Sequence, residues 1–321
     1  MSATLQINVA PPDLRHARLI LPHQLRVWAG QVDEILLTYD TVAPGRGRFA
    51  DTWDEHRAQM DALLGTLADA HATVRIGEVD VSPAARRAVA EHFLADEGDV
   101  PLKDSRGGPL YAYLYGLHDA RNDVILHSDS DMLFGGGSQH WLAESVALQQ
   151  AHPEVLACCP LPGPPHPDGR LRGQDAVRPF GRDPYCFAFA GDFTTRVFVV
   201  DRRRLLDHTG RWPLRPPLLL RSRLKAAVNG HPPFAMPEQM LTRALIDHDG
   251  IRVDFLGRDP GMWTLHPDGR SPNFYASLPE VIRRVEAGDV PQEQRGVYDI
   301  VAPLVDWSDK PQPTLFQRLL R

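Results

Sequence analysis

The stretch Val124-Ile-Leu-His-Ser-Asp-Ser-Asp-Met-Leu-Phe134 decides how this chain is read. After the turn at Asn122-Asp123, Val124 to His127 forms a short apolar run of the kind that suits a central strand covered on both faces. Asp129 and Asp131 follow at its C-terminal end. Residues two apart in an extended chain point to the same side, about 6.5 Å apart at ~3.3 Å per residue. Two carboxylates so placed can share one Mg²⁺ or Mn²⁺, directly or through water, because hard cations prefer oxygen ligands. An Asp-x-Asp can equally just end a strand and begin a turn. Here an apolar strand precedes it, and Met132-Leu-Phe134 and glycines 135–137 follow. That context favours the functional reading.

Working outward from this strand, helices and strands alternate. Thr4–Ala10 reads as a first strand stopped by Pro11 and Pro12. Asp13 is placed to cap a helix running to about Gly30, with Pro22 as a possible kink. Val32–Thr41 is a second strand that ends on Asp40. A helix follows from about Asp54, its Met60, Leu63, Leu64 and Leu67 forming the stripe of a half-buried helix. Thr73–Val81 is a third strand, and Ser82-Pro83 opens another helix, with Ser as cap and Pro first. Gly108–Ala120 is a further helix, Ser138 begins the next, and Glu154–Cys159 is a fifth strand. Over the first 160 residues this is the pattern of an α/β domain with a largely parallel sheet. Ligands of such sheets collect at the carboxyl ends of strands, where Asp40, Asp129 and Asp131 all fall.

Residues 160–184 are rich in proline, glycine and arginine, which predicts a long loop without regular structure, either a flap or an inert linker. Beyond it, Cys186–Ala190 and Thr195–Val200 alternate like an antiparallel pair. Pro237–His248 is a helix with Pro first and Gly250 just past its end. Ile251–Leu256 is a strand, and the tail is helical around Leu278–Glu286.

Composition narrows the function. The formal net charge of −6 argues against a general affinity for nucleic acid or anionic membrane, so a polyanionic ligand must be held locally. Cys158, Cys159 and Cys186 offer neither a disulfide framework nor a zinc-ligand spacing. No apolar run reaches the 18 or so residues that span a bilayer, and the N-terminus lacks a signal-peptide pattern. The expectation is a cytoplasmic protein.

Val124–Phe134 resembles the strand and DxD motif of family-2 and related GT-A glycosyltransferases. Val32–Thr41 is similar to their second strand, whose closing acid, Asp40 here, contacts the nucleobase or ribose. Pro237-Glu238-Gln239 resembles the acidic motif that supplies their catalytic base. Trp263-Thr-Leu-His266 is similar to the late histidine that completes the metal site. The likeness runs over roughly residues 4–270. It implies a GT-A-type fold: a mostly parallel central sheet flanked by helices, with a small antiparallel acceptor-side portion. Residues 1–160 would form the nucleotide-sugar half and 185–270 the acceptor half, with 271–321 a helical extension or lid. It also implies hexosyl transfer from a nucleoside-diphosphate sugar to an unidentified acceptor hydroxyl, with inversion. Mn²⁺ or Mg²⁺ would be bound by Asp129, Asp131 and His266, with Asp129 also on the donor side. Arg106 resembles a donor-contacting position. The usual base motif is Glu-Asp, whereas this chain has Glu238-Gln239; either Glu238 serves or the mechanism differs.

Other residues carry weaker signals. Asp192 is a candidate to touch acceptor or sugar, Lys103 reads as part of a solvated loop, Arg202-Arg203-Arg204 as a solvated helix start, and His127 as core. Two alternatives remain: a non-catalytic sugar- or metal-binding protein of this fold, and a haloacid-dehalogenase-type phosphatase. The second is disfavoured because three strands precede the acidic pair and Met132 follows it. A nucleotidyltransferase would need a Gly-rich basic loop after the first strand, where Ala10-Pro11-Pro12-Asp13 stands instead.

Overall fold

The computed structural model describes residues 2–43, 52–96, 98–174 and 177–310; the end of the C-terminal extension, 311–321, and part of the 160–184 stretch lie outside them. The strands are β1 (Ala3–Val9), β2 (Glu34–Tyr39), β3 (Val74–Glu78), β4 (Val124–Asp129), β5 (Leu133–Gly135), β6 (Val155–Pro162), β7 (Val177–Pro179), β8 (Cys186–Ala190), β9 (Val197–Asp201), β10 (Ile251–Phe255) and β11 (Trp263–Leu265). The helices are α1 (Leu14–Trp28), α2 (Trp53–Ala70), α3 (Pro83–Phe93), α4 (Leu110–Asp119), α5 (Trp141–Ala151), α6 (Arg202–Thr209), α7 (Leu220–Val228), α8 (Pro237–Asp247) and α9 (Pro272–Glu286).

The main sheet runs β3-β2-β1-β4-β9-β6-β10-β8-β7, with β11 and β5 joined to it beside β6. β1 to β4 pair in parallel, as do β6 and β10. β9 lies antiparallel between β4 and β6, and β8 antiparallel to β10 and β7. This is the expected architecture: a mostly parallel sheet flanked by helices with a small antiparallel portion. One apolar cluster fills the face under α1, α2 and α5, and a second the face under α3, α4, α6 and α8. β4 therefore has Leu126 on one side and Ile125 on the other, both fully buried.

Local sequence sets several boundaries as expected. Ser82 Oγ accepts the Ala85 N–H and Pro83 opens α3. Four expectations are corrected. Cys186–Ala190 and the strand after it do not pair with each other, because both are buried on both faces and alternation cannot choose their neighbours. The 160–184 stretch is not wholly irregular: β6 runs on to Pro162, and β7 forms at the sheet edge. β6 tolerates its prolines because Leu161 and Gly163 donate their N–H groups to the Met262 and Thr264 carbonyls, while Pro160 and Pro162 fall on the alternate positions. The helix expected at Ser138 starts at Trp141, after Gly136 and Gly137 turn the chain with φ of 92° and 81°; Ser138 Oγ instead accepts the His140 N–H. Finally, Arg202 and Arg204 are not a solvated helix start. Arg202 Nη1 bonds the Leu117 carbonyl at 2.6 Å, and Arg204 Nη1 the Val155 carbonyl at 3.0 Å, tying α6 to the ends of α4 and the start of β6.

The C-terminal extension is docked. Phe274, Leu278, Val281 and Val285 of α9 are buried with Ile20, Leu133 and Leu265. Gly135 is required there: a Cβ on it would meet the Trp263 ring at 2.1 Å. No helix among the described residues is long and apolar enough to cross a membrane.

Candidate active site

Sheet register brings the acids together. Asn8 stands opposite Asp129 and Val9 opposite Tyr39, so the chain leaves β1, β2 and β4 at one edge, carrying Asp13, Asp40 and Asp129 to a common opening, with Asp131 buried behind it. A cavity of about 260 Å³ lies there, lined by Asn8, Thr38, Asp40, Asp129, Ser130 and Glu238 among others. A second, of about 280 Å³, is lined by Asp192, Arg196, Arg252, Asp254, Tyr298 and again Glu238. Glu238, in the first turn of α8, thus borders both.

Asp129 and Asp131 face different surroundings. Asp129 has a side chain 39 % exposed, and its backbone is clamped: its N–H donates to the Arg196 carbonyl at 2.7 Å and its carbonyl accepts from Gln24 Nε2 at 2.9 Å. Asp131 is buried, and its Oδ2 accepts from Arg270 Nη2 at 2.7 Å. Burial pushes the Asp131 carboxyl up, but Arg270, His266 and His16 more than offset this and hold it well below the usual carboxylate range. His266 Nε2 lies 3.9 Å from the same Oδ2, while its Nδ1 meets Asp299 Oδ1 at 3.3 Å and its ring stacks on Tyr298.

These donors suit a hard divalent cation. The Asp131 Oδ1 is buried without a hydrogen-bond partner among the described residues, Asp129 is open to the cavity, and the imidazole of His266 is close. They do not form a complete cage. Among the described residues no group of three or more His, Cys, Asp or Glu converges on a metal position. Diphosphate oxygens would have to complete the shell, as the two-carboxylate reading requires.

Asp13 and Arg270 extend the charged cluster. Asp13 does not cap α1 with its side chain. Its Oδ2 accepts the Ala10 N–H at 3.0 Å, and its Oδ1 lies 3.3 Å from Arg270 Nη1. The Arg270 guanidinium so bridges Asp13 and Asp131. Burial raises the Asp13 carboxyl from 3.8 to about 6, with Asp131 and Asp129 adding to the rise and Arg270 opposing it. Nearby His16, pushed down to about 3 by burial, is neutral and meets Ser130 Oγ at 3.2 Å. Between pH 3.8 and about 6 the unfolded chain has already released the Asp13 proton and the folded chain keeps it. This group's stabilisation is therefore present in acid and lost as pH rises through the folded value. Asp13→Asn is expected to remove that slope and to raise the melting temperature at neutral pH, worth on the order of 1–2 kcal/mol. A lower melting temperature in thermal denaturation would show that the pairing with Arg270 outweighs burial.

The remaining candidates separate cleanly. Lys103 is not in a solvated loop: its Nζ meets Asp40 Oδ2 at 2.9 Å, with both side chains largely buried. Their pairing offsets the desolvation of each. Lys103→Met is expected to cost roughly 1–3 kcal/mol in chemical denaturation by leaving Asp40 unpaired. Arg106 is exposed, but near enough to Glu238 to lower its pKa. Asp192 is 53 % exposed at the mouth of the second cavity, 3.6 Å from Arg252. His127 is core, as expected, bonded through Nδ1 to Gln6 Oε1.

Glu238 and Gln239 point apart. Burial raises the Glu238 carboxyl, against the lowering effects of Arg196, the Thr195 hydroxyl and Arg106. Thr195 Oγ1 donates to it at 3.4 Å. Gln239 instead lines a separate pocket with Trp212 and Arg215. Residues missed in the sequence complete the site. In the second cavity Arg252 grips Asp254 with Nε and Nη2 at 2.8 and 3.2 Å, and burial raises Asp254 to about 6. Arg196, whose guanidinium lies 5.7 Å from the Tyr298 ring centre, lines the same cavity. The alternating Arg-x-Asp of β10 was the signal available for the first pair; nothing local marked Arg270 or Tyr298.

No protein-family model matches this sequence, and no curated protein matches it. Among solved structures, the chain is similar to residues 1–349 of S. aureus TarS, with 11% identity over 91% of this chain and 68% of that one and a TM-score of 0.42. It is similar to glucosyl-3-phosphoglycerate synthase from Mycobacterium tuberculosis in complex with Mn²⁺, UDP and phosphoglyceric acid, at 13% identity over 88% and 76% with a TM-score of 0.38. It is also similar to a UDP-glucose pyrophosphorylase complexed with UDP-glucose, at 8% identity over 79% and 90% with a TM-score of 0.39. These likenesses are too loose to locate a site, which rests on the geometry above.

Proposed function

We propose that this chain is a GT-A-type, metal-dependent hexosyltransferase that moves a sugar from a nucleoside-diphosphate sugar to an acceptor hydroxyl with inversion. The observation that carries the reading is the position of Glu238, a half-buried carboxylate with a raised pKa on the boundary between two cavities. One cavity has the strand-end acids and suits the donor. The other, with Asp192, Arg196, Arg252 and Asp254, is polar and suits a hydroxylated acceptor.

In this reading residues 1–160 hold the donor and 185–270 the acceptor. Asp40, fixed by Lys103, contacts the nucleobase or ribose. Arg106 lies at the donor rim. Glu238 takes the proton from the acceptor hydroxyl as its oxygen attacks C1 of the sugar, and the C1–O bond to the diphosphate breaks with its electrons leaving on phosphate. Burial brings the carboxylate nearer to the working pH of a general base. Asp129, Asp131 and His266 would hold Mn²⁺ or Mg²⁺, which when bound would supply positive charge for the departing diphosphate.

Incubation with a panel of nucleotide sugars and Mn²⁺, without acceptor, tests the proposal. Slow release of nucleoside diphosphate from one donor is the expected result, with p-nitrophenyl phosphate untouched. If no donor is hydrolysed and no nucleoside diphosphate raises the melting temperature, the reading fails.

A further inference from the structure

The surface of α7 is built the wrong way round for a helix that packs only on its own protein. Helices of soluble domains turn their large apolar side chains inward. Here Leu220, Leu224 and Val228, at i, i+4 and i+8, are 68 %, 60 % and 86 % exposed, while small Ala226 is buried on the opposite face. Leu218 and Leu219, leading into the helix, are 82 % and 52 % exposed. These five are most of the eight large hydrophobic residues that are exposed among the described residues, so the apolar surface is concentrated here.

The charge pattern is equally local. From Gly210 to Met236 there are five basic residues, Arg211, Arg215, Arg221, Arg223 and Lys225, and no acid, in a chain whose net charge is −6. Arg221 and Lys225 flank the leucine face on one side of α7 and Arg223 on the other, as helical spacing places them. Leucines at the crest with cations at the flanks are the composition of a helix that lies in a bilayer interface.

We propose that α7 and the leucines before it dock on an anionic phospholipid surface. The charge excess over this segment qualifies the inference from net charge: the whole chain is acidic, but this face is not. Two other occupants fit less well. A second copy meeting this face through a two-fold axis would set five cations against five. Nucleic acid would need aromatic rings to stack bases, whereas the exposed residues are aliphatic and Trp212 is buried. The face lies beside the loop that carries Lys103 to Asp40, since Lys103, Gly107, Val228 and His231 line one cleft.

Flotation with vesicles of phosphatidylcholine, alone or mixed with phosphatidylglycerol, tests this with the full chain. Binding to the mixed vesicles only, weakening with salt, is expected. Leu218→Ser/Leu220→Ser/Leu224→Ser and Arg221→Glu/Lys225→Glu each change exposed side chains and should leave the fold intact, as checked by thermal melting. Each is expected to weaken binding by at least about tenfold. The proposal is overturned by absence of flotation on mixed vesicles at low salt, or by flotation undiminished in both variants. A leucine-dependent dimer, or binding of an oligonucleotide, without flotation would also overturn it. The readout uses no donor or metal, so it succeeds or fails independently of the catalytic reading.

Discussion

Asp131→Asn is expected to abolish the Mn²⁺-dependent rise in melting temperature produced by a nucleoside diphosphate and to lower sugar transfer by roughly a hundredfold to a thousandfold. The Asp131 carboxylate is the buried member of the acidic pair, with one oxygen on Arg270 and the other unpartnered among the described residues. Asn keeps the shape and removes the charge. A ligand at a hundred times its dissociation constant stabilises the native protein by about 2.7 kcal/mol, enough to read as a clear shift in the parent. The substitution also leaves Asp13 as the remaining carboxylate paired with Arg270 among the described residues, so a fall in stability without ligand accompanies it; breaking a buried ion pair costs up to about 3–5 kcal/mol. The two effects are separable, because the ligand-dependent shift is measured against each variant's own baseline. A metal-dependent shift retained in Asp131→Asn would remove this residue from the metal site.

Glu238→Gln should behave differently. It removes a proton acceptor and leaves the strand-end acids untouched, so the ligand-induced melting shift is expected to survive while kcat falls by about a hundredfold to ten-thousandfold. The raised pKa of Glu238 adds a signature in pH. A base is active only when deprotonated, so the parent's kcat should fall on the acid side at a pH above the ordinary carboxylate range. Unchanged kcat in Glu238→Gln would mean that another group accepts the proton. Gln239→Ala, whose side chain lines a separate pocket, is the matching control.

The contrast between neighbours explains how far the sequence could be read. Val124–Asp129 was recognisable as a buried strand because its apolar run is local, and α3 because Ser82 and Pro83 supply their cap and first turn within a few residues. Asp40 and the acidic pair were placed at strand ends by the same short-range logic, and register then set them side by side. Asp13 was legible as a helix start but not as a site residue, since a cap and a buried carboxylate look alike in sequence. Lys103 read as solvated because its partner lies 63 residues away.

What the chain determined by itself, then, is the alternation of elements and the delivery of acids to one edge, since apolar period and turn chemistry act over a few residues. Only the tertiary structure decided that β9 inserts between β4 and β6, that Arg270 closes on Asp131 from 139 residues away, and that Glu238 faces the cavities while Gln239, about 100° around the helix, does not. Those outcomes depend on which surfaces bury against each other, and burial between distant segments leaves no period to read.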